Sequence, residues 1–290
     1  SNVNKSKRFI FCTSCSESIS KDKALPKQDT RLVKYSDSLR TIWSRNFSDI
    51  HPYSLDYKVK PIFIGNFIYI AKGNLLLSLN KNNGGTKWSL RFKNPISFGV
   101  LQLNKTLVVA VNNFLYAVDK NTGKVIKQKK LHSRIVSRPV KYKNNIFVKT
   151  IDGTLLCLEH ENLNNIWISS GISPDLLMSY SSTPVIMKNS IVLSGNSNGN
   201  IIASSIEDGT ELWSRTLSNS YDSNPYEVND IASDPIVVDP HVFISGFNGK
   251  VASIFQENGS ILWSKDISSK RNLIPYKNQI IIIDVNNDIF

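Results

Sequence analysis

Chemistry in a chain of this kind would come first from histidine, cysteine and acidic residues spaced to share a substrate or a metal. The histidines are His51, His132, His160 and His241, and they fall at unrelated spacings with no HExxH pair. Cys12 and Cys15 form a Cys-x-x-Cys, yet no second pair and no nearby histidine complete a zinc or redox site. Cys157 lies in the apolar run TLLCLEH and reads as a small core residue. Asp119, Asp152, Asp208 and Asp239 recur at turns, where a carboxylate bends or caps the backbone without any catalytic role. There is no nucleophile elbow, P-loop or glycine-rich dinucleotide turn. The sequence therefore assigns no catalytic residue, no metal ligand and no cofactor-binding residue.

The elements that would position any site are short strands in a repeat. From Ser182 to Leu217 four apolar runs (PVIM, SIVLSG, NIIASSI, ELWSRTL) are joined by turn residues at Lys188-Asn189, Asn198-Gly199 and Asp208-Gly209. Glycine and asparagine tolerate the positive φ that tight turns demand, and the runs have strand length and composition. The scheme recurs from Lys60, Ile96, Arg138 and Ser233. Trp88, Trp213 and Trp263 each follow a turn glycine by four residues. Trp167 holds the same place after Leu163, and Lys127 takes the place of tryptophan in the second unit. Positions 88, 127, 167, 213 and 263 are 39, 40, 46 and 50 residues apart. A meander of this length cannot bury both faces alone and has to stack on copies of itself. The pattern predicts an all-β fold, a β-propeller of four-stranded antiparallel blades.

Trp43, 45 residues before Trp88, stands in register with the repeat, so Leu39–Phe47 reads as a last-type strand that completes a blade. After five full units, RNLIPYKNQIIIIDVNNDIF supplies two strands and a turn at Asn286-Asn287. The reading is five units plus a partial sixth, as in a C-terminally shortened ring. Residues 1–36 read as an unstructured tether and 37–290 as the propeller.

At 290 residues and 41% hydrophobic content the chain can build a large core, and no 18-residue apolar segment is present. The net charge of +12 is scattered over turns and exposed faces, as at Lys81, Lys120, Lys188 and Lys277. Without a basic helix or an aromatic-interleaved RNA signature, nucleic acid is not an expected partner. In the N-terminal tether Lys5, Lys7 and Arg8 precede Phe9-Ile10-Phe11, like the stub of a secretory signal. Cys15, between Ser14 and Ser16, is then the lipidation candidate. Cys12 is a poorer one after the bulky Phe11, and the plain alternative is a tail with two incidental thiols.

Ala117–Lys124 (AVDKNTGK) resembles the blade-docking motif of quinoprotein dehydrogenases, in which a final tryptophan pins neighbouring blades. Here Lys127 replaces that tryptophan, and the vicinal cysteines those enzymes set against pyrroloquinoline quinone are absent. The motif supports the architecture and not the cofactor, so no cofactor is expected. From about Trp43 to Phe290, repeat order and linkers are similar to BamB, the lipoprotein family of the bacterial outer-membrane barrel-assembly machine. The resemblance implies an eight-bladed, non-catalytic scaffold, lipid-anchored at the periplasmic face of the outer membrane. It would bind a POTRA domain of the central BamA-like barrel protein and help deliver unfolded outer-membrane proteins.

Family partner contacts come from a Leu-x-Leu-Arg run before one blade and paired aspartates before the next. Matched here, these are Leu176, Leu177, Met178 and Ser179 in PDLLMSYSSTP, and Asp230 in EVNDIASDP, with Ser179 and Ala232 departing from the pattern. The residues themselves allow two readings. Three large apolar side chains after Pro174 form either a docking knob or a loop folded onto the blade edge. Two other functions compete with the scaffold: a quinoprotein-like oxidoreductase, and a generic peptide- or glycan-binding propeller. An extended client strand could also pair with an exposed blade edge.

Overall fold

Because the apolar runs are strand-sized and separated by turns of positive φ, each stretch of about 40 residues forms a sequential antiparallel meander. The computed structural model describes residues 41–45, 60–170, 182–196, 199–217, 233–246, 250–267, 269, 272–277, 279–284 and 286–290. Blade 1 comprises β1 (Ile62–Ile64), β2 (Phe67–Lys72), β3 (Leu75–Asn80) and β4 (Thr86–Arg91). Blade 2 holds β5 (Phe98–Gln102), β6 (Thr106–Val111), β7 (Phe114–Asp119) and β8 (Val125–Lys130). Blade 3 holds β9 (Val140–Tyr142), β10 (Asn145–Lys149), β11 (Leu155–Glu159) and β12 (Asn165–Ser169). Blade 4 holds β13 (Val185–Met187), β14 (Ile191–Gly195), β15 (Asn200–Ser205) and β16 (Glu211–Thr216). Blade 5 holds β17 (Ile236–Val238), β18 (His241–Ser245), β19 (Val251–Phe255) and β20 (Ile261–Lys265). β21 (Ile274–Tyr276) and β22 (Gln279–Ile281) form a two-stranded sheet, and Ile283 bridges Ile289 beyond it. In each four-stranded sheet the strands pair in sequence order, as a propeller requires.

The second and third strands are buried on both faces, which is why runs such as TLVVAV and LLCLE show no polar alternation. Their partners are neighbouring blades. One apolar cluster joins Tyr69, Leu76 and Trp88 of blade 1 to Leu107, Val109 and Val118 of blade 2. Another joins Phe147, Cys157 and Trp167 of blade 3 to Val192 and Ile206 of blade 4. The core is thus a series of inter-blade layers and cannot form within one repeat.

Every full blade carries the same irregularity between its third and fourth strands. The register shifts beside Ser78, Ala117, Cys157, Ala203 and Ser253. These small residues lie opposite Trp88, Lys127, Trp167, Trp213 and Trp263, and a small partner leaves the bulky ring free to lean towards the next blade. Cys157 is the cysteine version of this position, fully buried as the sequence suggested.

The turn ahead of each fourth strand is also common to the five blades. Its fourth residue is left-handed: Gly84, Gly123, Gly209 and Gly259 at φ 68° to 78°, and Leu163 at φ 60°. The hairpin at Lys188–Ser190 differs from the expected pattern. There a short 3-10 turn forms, and Ser190, not an asparagine, takes the positive φ of 58°.

Candidate docking surface

Inter-blade contact is made by the repeated tryptophan. The Trp88 ring of blade 1 lies under the turn of blade 2, where a Cβ added to Gly123 would sit 2.6 Å from it. Its Nε1 donates to the Lys120 carbonyl at 3.0 Å. Trp167 repeats this on Gly209 and the Ile206 carbonyl (2.8 Å), and Trp213 on Gly259 and the Gln256 carbonyl (3.1 Å). Trp43 makes the same contact with Gly84 and donates to the Lys81 carbonyl at 2.7 Å. Residues 41–45 are not assigned as a strand, yet Trp43 holds the place of a preceding blade's tryptophan, in the register the sequence indicated.

At the opposite end of each blade, the chain runs from the outer fourth strand to the first strand of the next blade. Asp234, just ahead of β17, gathers these returns together. Its carboxylate accepts the Thr183 backbone N–H at 2.7 Å and contacts the Arg138 guanidinium. Its own N–H donates to Asn272 Oδ1 at 3.0 Å, and Asn272 Nδ2 donates back at 3.4 Å. Arg138, Thr183, Asp234 and Asn272 precede the first strands of four successive blades, so they can meet only near the propeller axis. Burial pushes the Asp234 carboxyl up, but the Thr183 hydrogen bonds and the Arg138 charge outweigh it and hold the group below its ordinary value of 3.8.

Thr183 closes the segment that carries Leu176, Leu177, Met178 and Ser179, and Asp234 closes the one that carries Asp230. Those five residues lie outside the described residues, as do Cys12 and Cys15. The geometry nonetheless brings the ends of both segments to one point. Arg138, Thr183, Asp234 and Asn272 escaped the sequence reading. A signal was available in Ser137-Arg138-Pro139, Ser182-Thr183-Pro184 and Ser233-Asp234-Pro235, a Ser-x-Pro ahead of three first strands with the serine wholly buried each time.

The family model described as "Outer membrane protein assembly factor BamB" matches residues 71–290. The chain belongs to the BamB family. A protein of Rickettsia conorii, named only as uncharacterised, is 30% identical over 171 residues, covering 56% of this chain and 41% of its own length. The BamB of Burkholderia pseudomallei is 22% identical over 185 residues, covering 63% and 48% respectively. The chain spans less than half the length of the curated relatives it matches. The crystal structure of BamB from Moraxella catarrhalis superposes with a TM-score of 0.71 at 19% identity, over 81% of this chain and 72% of that one. A europium-containing methanol dehydrogenase superposes at 0.61 and 15% identity, over 79% and 53%. At such identities the structural likeness speaks for the propeller fold that the BamB family shares with quinoproteins.

Other candidate groups in this BamB-family chain have structural roles. Asp119 accepts from the Asn121 and Thr122 N–H groups and the Thr122 hydroxyl, and Asp208 accepts from Thr210 N–H, all within turns. His132 Nε2 lies 3.0 Å from Asp152, and Asp239 pairs with Lys188. Among the described residues no three His, Cys, Asp or Glu side chains converge as metal ligands would. No helix among them is long and apolar enough to cross a membrane.

Proposed function

We propose that the chain is a non-catalytic scaffold of the outer-membrane β-barrel assembly machinery. It docks a POTRA-bearing, BamA-like barrel protein through the segments at 174–181 and 226–234 and helps hand over unfolded outer-membrane proteins. Leu176, Leu177 and Met178 supply an apolar knob and Asp230 a charged contact, with Ser179 beside them. Cys15 is the lipid-bearing residue of a form held at the periplasmic face of the outer membrane.

The observation that carries this reading is the hydrogen bond from Thr183 N–H to the Asp234 carboxylate at 2.7 Å. It ties together the ends of two segments that are 51 residues apart in sequence, so one partner domain can engage both. Family membership supports the scaffold, since the assembly role appears in the names of the Burkholderia pseudomallei and Yersinia pestis relatives.

The test is surface binding of the full chain to the isolated POTRA domains of its own organism's barrel protein. Leu176→Ala, Met178→Ala and Asp230→Ala are compared with the parent. Each apolar truncation is expected to weaken binding by roughly 1–2 kcal/mol, as at the core of a protein interface. A folded parent that binds no POTRA domain, or variants that bind equally well, would remove the proposal.

A further inference from the structure

The contact between blades 2 and 3 differs from the others described. Lys127 stands where blades 1, 3 and 4 present a tryptophan, and Leu163 where the next turn presents a glycine. Leu163 is buried and closes the turn side of this interface. Further along it a cleft of about 220 Å³ remains open, between Lys129, Lys130 and His132 on one side and Thr154, Leu156 and Ile168 on the other. Such a volume is below the roughly 300–1,000 Å³ of pockets that enclose whole small-molecule ligands, and suits one side chain of a longer partner.

β8 reads VIKQKK: three lysines and no acidic residue. Strand alternation puts Lys127 and Lys129 on the face turned to blade 3. β8 pairs only with β7 within its sheet, so its outer edge has backbone groups to offer. The Asp152 carboxylate, which contacts the cleft-lining His132 at 3.0 Å, also accepts from the Thr150 hydroxyl at 2.6 Å, so it is already engaged.

We infer that this cleft is a binding site for an acidic, extended polypeptide segment. The segment lies along the free edge of β8 and places one Glu or Asp side chain against Lys129, while Lys130, on the opposite face by alternation, lines the cleft at the strand end and adds to its positive charge. Leu156 and Ile168 pack on the methylenes of that side chain, and β8 backbone groups pair with the peptide as a fifth strand. Protein is favoured over nucleic acid because no Phe, Tyr or Trp lines the cleft to stack a base, and the one ring there, His132, is engaged by Asp152. Burial and the neighbouring Lys127 lower the Lys129 pKa, a cost that an incoming carboxylate relieves. The site lies between blades 2 and 3 and does not depend on the scaffold reading.

The probe is a fluorescein-labelled dodecapeptide of alternating Glu and Val, titrated with the full chain by anisotropy. The chain with Lys129→Glu and Lys130→Glu is compared with one carrying Lys250→Glu and Lys265→Glu, an equal charge change on blade 5. We expect at least about tenfold weaker binding for the β8 pair and less than twofold for the blade 5 pair, because only a local contact responds to position. Ile168→Trp fills the cleft and should weaken binding similarly. Should the charge reversals unfold the chain, Lys129→Gln with Lys130→Gln gives the same comparison. Equal losses for both pairs would reduce the effect to diffuse attraction by a basic protein and overturn the inference. So would binding that survives Ile168→Trp while a single-stranded oligonucleotide of equal charge competes fully.

Discussion

Lys127 and Leu163 are the two halves of one departure: the blade that lacks the docking tryptophan precedes the blade that lacks the turn glycine. Elsewhere the pair is a ring on a bare Cα, with 2.5–2.7 Å from ring to added Cβ. A leucine at the turn and a tryptophan on the facing strand exclude each other sterically.

This exclusion predicts a double-mutant cycle. Lys127→Trp alone drives a ring into the Leu163 side chain and should destabilise by about 1–3 kcal/mol. Leu163→Gly alone relieves a left-handed leucine, worth about 1–2 kcal/mol, but deletes a buried side chain worth about 2–5 kcal/mol. Together they rebuild the contact seen at the other interfaces, so urea unfolding should show a favourable coupling of roughly 1–3 kcal/mol. Additive effects would mean that the two positions do not face one another.

Gly65 and Gly123 separate backbone strain from steric exclusion. Both are left-handed, at φ 58° and 73°, but a Cβ on Gly65 meets nothing within 4 Å while one on Gly123 meets the Trp88 ring at 2.6 Å. Gly65→Ala should cost about 1 kcal/mol from conformation alone. Gly123→Ala adds an overpacking term of about 1–3 kcal/mol. Denaturant midpoints of the two variants measure the difference, and equal shifts would contradict the contact.

Asp234 should confer a defined acid sensitivity. Its folded pKa is depressed below 3.8, so its stabilisation is complete above that value and is lost as pH falls through the lower folded value. The stability difference between the parent and Asp234→Asn should therefore be constant at neutral pH and shrink below about pH 4. Asp234→Ala at neutral pH leaves the partly buried Arg138 charge without its carboxylate and should cost about 1–3 kcal/mol. Chemical denaturation across pH 2–7 reads both effects. A difference that grows on acidification would reverse the assignment.

Cys157 should behave as a buried thiol and not as a nucleophile. Burial pushes its pKa from 9.0 to about 12, so it stays protonated in the fold while the unfolded thiol ionises near its ordinary value. Its contribution to stability is present below pH 9 and is lost as pH rises towards 12. In a chain carrying Cys12→Ser and Cys15→Ser, alkylation by iodoacetamide should proceed only at the rate of unfolding. Rapid labelling of the native protein would disprove the burial.

The blades were legible in the amino-acid order because their causes are local. Turn glycines, strand-length apolar runs and the recurring tryptophan each act within a few residues, and the repeat multiplies the signal. The Lys127 and Leu163 substitutions were legible too, as separate lapses in two units. Their meaning was not, because no spacing says that the tryptophan of one blade meets the glycine of the next. Arg138, Thr183, Asp234 and Asn272 were hidden for the same reason: each is unremarkable within its own Ser-x-Pro or loop context.

The sequence by itself determined the all-β repeat, the register of Trp43 and the small core role of Cys157, since hydrogen-bonded meanders and strand-length apolar runs are written locally. Only the tertiary structure decided which repeats touch. Stacking placed the gap beside Lys129 between two particular blades, and convergence on the axis set Thr183 against Asp234. Both follow from packing faces that no single repeat can satisfy alone.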